Sequence, residues 1–135
     1  MARWLTAIGA GLALLGVGAG AFGAHALEGV IPESRLATWE LAARHQLVHG
    51  VAAFATGLAM RAGVDLGGVG RAGAWLLVGG VVVFSGTLYG LAASGVGELG
   101  AITPIGGTGL VVGWAMLAWG GLRGGVGRGP GGGRG

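Results

Sequence analysis

Four long apolar runs dominate this chain of 135 residues. Each run is close to the ~20 residues that an α-helix needs to cross the hydrocarbon core of a bilayer. A helix also satisfies its backbone hydrogen bonds within one segment, as lipid requires. The sequence therefore predicts an all-α membrane protein with four transmembrane helices, over residues 4–24, 41–60, 72–93 and 104–122.

Composition agrees with this class. Hydrophobic residues make up 53% of the chain and charged residues only 10%, well below the ~25% of an average soluble domain. The four runs leave little length for a soluble domain, so we expect one membrane domain over residues 1–123. There is no cysteine, which excludes disulfides, thiolate metal sites and a cysteine nucleophile.

The arginines indicate how the chain is threaded. Positive residues collect in cytoplasmic loops, and the predicted loops and ends carry six arginines on one side against two on the other. Both termini are therefore predicted to be cytoplasmic, in a multi-pass protein of the inner (plasma) membrane. Short loops favour an up-down-up-down bundle. The six are Arg3, Arg61, Arg71, Arg123, Arg128 and Arg134, and the two are Arg35 and Arg44.

The first run has an alternative interpretation. Arg3, the apolar stretch and Ala24-His25-Ala26 resemble a signal peptide with its cleavage site. The stretch of about 21 residues is longer than the usual apolar region of ~7–15. We therefore expect the segment to stay as the first helix, and N-terminal sequencing decides between the two.

Local signals mark further boundaries. Pro32, Glu33 and Ser34 are typical of a helix start and predict a helix over 33–60, with Trp39 as an interfacial anchor. Thr103 is predicted as the N-cap of the last helix and Pro104 as its first residue. The Gly/Arg tail, 124–135, is predicted to be disordered, and we expect no nucleic-acid partner.

Glycine is the commonest residue, with 35 copies, many inside the apolar runs. Small residues four apart let membrane helices approach closely. This spacing occurs in Gly16-Val17-Gly18-Ala19-Gly20, between Gly86 and Gly90, and between Gly109 and Gly113. Packing within one bundle is the favoured interpretation, and a face for self-association is the alternative.

Polar residues are the candidates for function, because each is costly in lipid unless paired or hydrated. With a rise of 1.5 Å per residue, His49 lies ~12 Å below the outer surface, and Ser85 and Thr87 lie at ~10–14 Å. The candidates therefore share the outer half of the membrane. This outer polar set comprises His25, Glu40, Arg44, Gln46, His49, Ser85, Thr87 and Tyr89.

Several roles are open to these residues. Glu40 and Arg44 are four apart and are expected to pair. His45 and His49 share that spacing, and with His25 and a glutamate, Glu28 or Glu40, they are weak candidates for a metal site. A hydrogen bond from His49 to Ser85 or Thr87 is favoured over metal binding.

No catalytic constellation stands out, so we predict neither catalytic residues nor a cofactor. Ser85, His49 and Glu40 do not suit a triad, since Glu40 lies ~14 Å along the helix from His49. The sequence also lacks G-x-S-x-G and Walker motifs.

Four motifs in order resemble the small membrane family called domain of unknown function 423, which includes bacterial YgdD proteins and eukaryotic transmembrane protein 256. They are Gly20-Ala21-Phe22-Gly23-Ala24-His25, Trp39-Glu40 with Arg44-His45-Gln46-Leu47-Val48-His49, Phe84-Ser85-Gly86-Thr87-Leu88-Tyr89 and Ile102-Thr103-Pro104-Ile105-Gly106-Gly107. The resemblance, over about residues 1–122, implies a four-helix inner-membrane protein with no established activity. The family has tyrosine where this chain has His45, which weakens the metal hypothesis.

Three functions remain in competition. The favoured one is a non-enzymatic accessory or assembly protein that binds a membrane-protein partner within the lipid bilayer. The alternative is a homo-oligomer that binds or transports a small solute, proton or ion through the outer polar set. A metal-dependent membrane enzyme using the histidines ranks third.

Overall fold

The computed structural model describes residues 1–126, and four long helices account for most of them. Helix α1 spans Ala2–Phe22 and continues into a π-helical turn, Gly23–Leu27. Helix α2 spans Glu33–Arg61, α3 spans Gly67–Ser94, and α4 spans Thr103–Arg123 after a 3-10 turn at Gly97–Ala101. Two short strands, β1 (Val64–Asp65) and β2 (Gly125–Val126), pair antiparallel.

Three helical segments are long and apolar enough to cross a membrane: Ala2–Leu27, Gly67–Ser94 and Gly97–Arg123. Helix α2 has the length but not the composition, because it carries Arg44, His45, Gln46 and His49. The predicted span over 41–60 thus stays a prediction, and the polar half of α2 needs neighbours that cover it.

Each helix runs antiparallel to the next, as the order of their contacts shows. Along α1 and α2, Thr6 lies against Gly57, Gly16 against Leu47, and the carbonyl of Ala19 against Trp39. Residues later in α1 therefore contact residues earlier in α2, so the two helices are antiparallel.

The helix pairs α3–α4 and α2–α3 are also antiparallel. Gly73 of α3 packs on Gly113 and Met116 of α4, Gly80 packs on Leu110, and Thr87 bonds Thr103. Between α2 and α3, Ala42 meets Ser85 and Arg35 meets Ala92. The chain thus forms two tight hairpins, α1–α2 and α3–α4, joined by α2 against α3.

Both hairpins are held by glycines spaced seven residues apart, which returns them to one helix face after two turns. A Cβ atom on Gly50 would lie 2.5 Å from the backbone nitrogen of Ala13, and one on Gly106 would lie 2.5 Å from that of Phe84. The helices therefore meet backbone to backbone. The buried series are Gly9, Gly16 and Gly23; Gly50 and Gly57; Gly73 and Gly80; and Gly106, Gly113 and Gly120.

The four-residue spacings predicted from the sequence are only partly at interfaces. Gly16 and Gly113 are buried, whereas Cβ atoms on Gly18, Gly20 and Gly86 would meet open space. The seven-residue register, rather than the four-residue one, thus marks the packed faces.

Small apolar clusters fill the space between the hairpins, and most large apolar side chains face outward. Leu5, Ala53 and Ala74 form one cluster, and Leu77, Val81 and Leu110 form another. Outside them, Leu14 is 73% exposed and Val111 is 71% exposed. Such a surface suits contact with lipid chains.

Two boundaries differ from the sequence prediction. Residue 102 is the N-cap of α4, and Thr103 is already helical, because the preceding 3-10 turn leads straight into the helix. At the other end of α4, Gly125–Val126 pairs with Val64–Asp65. The rest of the tail predicted to be disordered, residues 127–135, lies outside the described residues.

Arg35 ties the start of α2 to the end of α3. Its Nε donates to the carbonyl of Ala92 at 2.7 Å, and its Nη2 donates to that of Ala93 at 2.5 Å. Gly95 follows with a φ of 77°, the left-handed conformation that commonly ends a helix. The guanidinium therefore satisfies carbonyls that the helix end leaves without partners.

We expect Gly16→Ala to lower stability and Gly18→Ala not to. A Cβ at Gly16 lies 2.7 Å from the backbone nitrogen of Leu47, whereas one at Gly18 meets nothing within 4 Å. Overpacking costs about 1–3 kcal/mol, and an open helical glycine gains up to about 1 kcal/mol on becoming alanine. Thermal unfolding in detergent measures both, and equal melting temperatures would contradict the packing.

Arg35→Ala should destabilise the protein by about 1–2 kcal/mol, because two charge-assisted hydrogen bonds to carbonyls are lost. Arg44→Ala is the matched control on the same helix, since Arg44 is exposed and has no hydrogen bond or ion pair within residues 1–126. Urea unfolding followed by tryptophan fluorescence compares them. A loss as large for Arg44→Ala would point to a general effect of charge.

Candidate functional site

The members of the outer polar set on α2 extend from Glu40 to His49, about 14 Å along the helix, and point in different directions around it. Each residue advances a helix by about 100°, from 3.6 residues per turn. Arg44 therefore faces a groove beside α1, Gln46 faces α1 and α3, and His49 faces the α3–α4 side. The structure thus directs to different sides of α2 the residues that the depth estimate alone placed together.

Glu40 and Arg44 line an open groove between α1 and α2. The groove has a volume of about 620 Å³, and its other walls are Gly16, Val17, Gly20, Ala21, Ala43 and Leu47. The predicted ion pair is wrong: Arg71 with Asp65, at 3.6 Å, is the one ion pair within residues 1–126. Glu40 and Arg44 are both exposed, and water or lipid headgroups can solvate their charges separately.

Gln46 and Ser85 each form a hydrogen bond that joins two helices. Gln46, 8% exposed, donates from Nε2 to the carbonyl of Leu12 at 3.2 Å. Ser85, 2% exposed, donates from Oγ to the carbonyl of Ala42 at 2.9 Å. These bonds join α2 to α1 and α3 to α2, and they satisfy polar groups that lipid could not.

The two helical histidines bond to their own helix. Nδ1 of His49 lies 2.8 Å from the carbonyl of His45, and Nδ1 of His45 lies 2.9 Å from that of Leu41. A carbonyl only accepts, so Nδ1 carries a proton and donates in both rings; in a neutral ring this leaves Nε2 as an acceptor.

The predicted hydrogen bond from His49 to Ser85 or Thr87 is therefore wrong. Nδ1 of His49 binds the carbonyl of His45, and the Ser85 hydroxyl binds that of Ala42. The hydroxyl of Thr87 bonds the carbonyls of Val83 and Phe84 and the hydroxyl of Thr103, all at 2.8–3.0 Å.

The histidine geometry does not suit metal chelation. The rings of His45 and His49 are stacked 14° from parallel, with centroids 5.9 Å apart. Both are held through Nδ1, so their Nε2 atoms are displaced by a similar distance, too far for one ion that bonds nitrogen at ~2.0–2.1 Å. His25 is exposed on the π-helical turn. Among residues 1–126, no group of three or more His, Cys, Asp or Glu could hold a metal.

Trp39 forms a hydrogen bond and ring contacts between helices that the sequence did not predict. Its Nε1 donates to the carbonyl of Ala19 at 2.7 Å, and its ring contacts Phe22 and Tyr89 with centroids at 5.7 and 4.6 Å. Gly23 leaves room for the ring, since a Cβ there would lie 2.8 Å from it. The predicted interfacial anchor therefore also joins three helical segments.

Three of the outer polar set meet in one cavity, which we call the outer cavity. It lies between α1, α2 and α3 and has a volume of about 190 Å³. Gln46 and Ser85 in its wall are already bonded to carbonyls, but the buried hydroxyl of Tyr89 has no partner among the described residues. The arrangement suits binding more than acid–base chemistry. The walls are Leu12, Gln46, Val81, Val82, Ser85, Gly86 and Tyr89.

Comparison with known proteins places the chain in a family. A family profile described as "Protein of unknown function (DUF423)" matches residues 19–107. The chain is 42% identical over 110 residues to the UPF0382 membrane protein YwdK of Bacillus subtilis, covering 82% of this chain and 89% of that one. It is 46% identical over 110 residues to the UPF0382 membrane protein SERP0230 of Staphylococcus epidermidis, covering 82% and 88%.

No solved structure matches the chain. Both relatives carry the name membrane protein. Three helical segments of this chain are long and apolar enough to span a membrane. The chain is therefore a multi-pass membrane protein. The family resemblance inferred from the four motifs is confirmed by the profile and by these relatives. The chain belongs to the DUF423 (UPF0382) family of membrane proteins, whose function is unknown.

Proposed function

We propose that this protein is a non-enzymatic accessory or assembly component of a membrane complex, in the inner (plasma) membrane. The observation that carries the proposal is how its buried polar groups are used. Gln46, Ser85 and Trp39 each donate to a backbone carbonyl of another helix. Polar groups that are engaged in hydrogen bonds between helices indicate a structural role more than a reaction centre.

The surface supports the same proposal. Gly79 and Gly86 on α3 are exposed, and Cβ atoms there would meet nothing within 4 Å. An apolar groove of about 450 Å³ also lies between α2 and α4, lined by Ala55, Thr56, Ala59, Leu66, Trp114, Leu117 and Ala118. Small residues and apolar grooves are what a second transmembrane helix packs against.

We further propose that all four helices span the membrane up-down-up-down, with both termini cytoplasmic. The antiparallel contacts support this threading. So does the pairing of Val64–Asp65 with Gly125–Val126, because it brings the α2–α3 loop beside the end of α4. Three arginines lie near this end of the helices, which is typical of a cytoplasmic side. They are Arg61, Arg71 and Arg123.

Single cysteines test the threading, since the chain has none of its own. In intact cells, a membrane-impermeant maleimide should label Glu98→Cys and leave Gly68→Cys unlabelled until the membrane is permeabilised. The cysteine-free parent is the control for background. The reverse labelling would overturn the orientation, and labelling of both would mean that α3, the helix between the two positions, does not cross.

Native mass spectrometry from the protein's own membranes in mild detergent tests the accessory role. A second polypeptide in a fixed ratio is the expected result. Gly79→Leu should lower that polypeptide's share about tenfold, equivalent to ~1.4 kcal/mol, because leucine blocks close approach. Val111→Leu on exposed α4 is the matched control. A lone monomer from gently extracted membranes would count against the proposal.

One observation favours a second candidate, an oligomeric binding protein or transporter for a small solute, proton or ion. Among the described residues, Glu40 and Arg44 have no ion-pair partner in their groove, and Nε2 of His49 accepts no hydrogen bond. Flux into liposomes containing the purified protein tests it. Flux that falls with His49→Ala supports transport, and flux that is unchanged removes it.

A further inference from the structure

The groove between α1 and α2 carries one charge of each sign on its surface. Glu40 and Arg44 line this groove of about 620 Å³, and both side chains are exposed. Within residues 1–126 neither has an ion-pair partner. Helix α3 meets α2 at Ala42, which lies about 200° around α2 from both charges. The groove therefore faces away from the bundle, toward the bilayer.

Both charges lie near one surface of the membrane if α2 spans it as proposed above. Arg44 precedes Arg61 by 17 residues, or ~25 Å at 1.5 Å per residue, and the hydrocarbon core is ~30 Å thick. With Arg61 at the cytoplasmic edge, Arg44 lies ~5 Å inside the opposite edge, and its long side chain can extend to the phosphate layer. Glu40 lies ~6 Å further out. The cation is thus the inner charge and the carboxylate the outer one.

An apolar cavity continues this groove toward the middle of the membrane. It has a volume of about 260 Å³ and also lies between α1 and α2. Its walls are Ala10, Ala13, Val51 and Phe54. Leu47 and Val17 of the charged groove are each four residues from a wall residue of the apolar cavity, so both cavities share one face of each helix. This face thus has a charged end at the membrane surface and an apolar continuation in the hydrocarbon.

The order of the two charges indicates the kind of headgroup. In a phospholipid the phosphate lies next to the glycerol, and the head alcohol lies further out. Arg44, the inner charge, therefore meets the phosphate, which a guanidinium binds through charge-assisted hydrogen bonds. Glu40 meets the group beyond it, and a carboxylate there favours a primary ammonium. Ethanolamine carries that ammonium two carbons from the phosphate, whereas a transmembrane helix would need two charged side chains in matching positions.

We propose that this face of the α1–α2 hairpin binds phosphatidylethanolamine, with Arg44 on the phosphate, Glu40 on the ammonium and an acyl chain along Val51 and Phe54. The site holds the lipid in place and does no chemistry on it. The proposal goes beyond the accessory role and does not depend on it, because the surfaces proposed for a protein partner lie on α3 and between α2 and α4. It rests on the proposed crossing of α2 only for the depth of the charges.

Native mass spectrometry of lipid binding tests the proposal. The full-length protein, delipidated in detergent, is titrated with dioleoyl phosphatidylethanolamine and, separately, with dioleoyl phosphatidylglycerol, which lacks the ammonium. The dissociation constant of the first bound lipid is measured for each. We expect phosphatidylethanolamine to bind about three- to tenfold more tightly, the effect of one hydrogen bond between its ammonium and Glu40.

Charge variants test the role assigned to each side chain. Glu40→Lys should reverse the preference, because two cations favour the anionic phosphatidylglycerol. Arg44→Gln should weaken both lipids about three- to tenfold, since both carry the phosphate. Glu98→Lys is the matched control: Glu98 is exposed on the turn before α4, outside the groove, and the preference should remain. Melting curves recorded without lipid show that each variant folds.

Two glycine variants test the groove itself. A Cβ atom at Gly20 would meet nothing within 4 Å, so Gly20→Leu places a side chain in the groove without a clash and should abolish the preference for phosphatidylethanolamine. Gly18→Leu also enters open space, but Gly18 lies about 200° around α1 from Gly20. This second variant should leave the preference unchanged.

Equal binding of the two lipids, or a preference for phosphatidylethanolamine that survives Glu40→Lys, would overturn the proposal. So would binding of water-soluble glycerophosphoethanolamine as tight as that of the lipid, which would assign the charges to a small solute. A dimer that Glu40→Lys dissociates would assign the groove to a second copy of the chain. A missing protein partner would bear only on the accessory role, and binding in detergent is measured whether or not α2 crosses the membrane.

Discussion

Close backbone contact at glycine faces is the constraint on which the rest of the structure depends. Lipid chains are as apolar as leucine, so the hydrophobic effect does little to hold membrane helices together, and close packing must do it. Gly50 approaches Ala13 and Gly106 approaches Phe84 at distances that exclude any side chain. The two hairpins follow from these contacts, and they fix which faces of α2 and α3 remain for polar residues and for lipid.

Backbone carbonyls are the common acceptor of the buried polar side chains. Ser85, Gln46, Trp39 and Arg35 each donate to a carbonyl of another helix. In lipid such bonds offset the cost of burying polar groups and fix the rotation of each helix against its neighbours. Polar residues that suggest chemistry in the sequence therefore serve mainly to join helices, and the buried Tyr89 hydroxyl is the exception, with no partner among residues 1–126.

Which half of the bundle carries the polar residues was predictable, but their direction around the helices was not. The count of 1.5 Å per residue predicted similar depths for His49, Ser85 and Thr87, whereas Ser85 meets Ala42, seven residues along α2 from His49. Which of them meet depends on how α2 is rotated against α1, α3 and α4, and single-sequence spacing does not fix that rotation. Glu40 and Arg44, predicted to pair, line a groove apart from Gln46, and the histidines bond within α2. The seven-residue glycine series is present in the sequence, whereas the four-residue spacing marks the packed faces only in part.

The sequence by itself determined the class of protein, its helices and its family. Those properties depend on composition and local order: apolar length and four motifs along the chain. Tertiary structure alone decided that Arg35 and Trp39 join helices, and that Gln46, Ser85 and Tyr89 share the outer cavity. The reason is physical, because such contacts join residues up to about 60 positions apart through packing that no local pattern encodes.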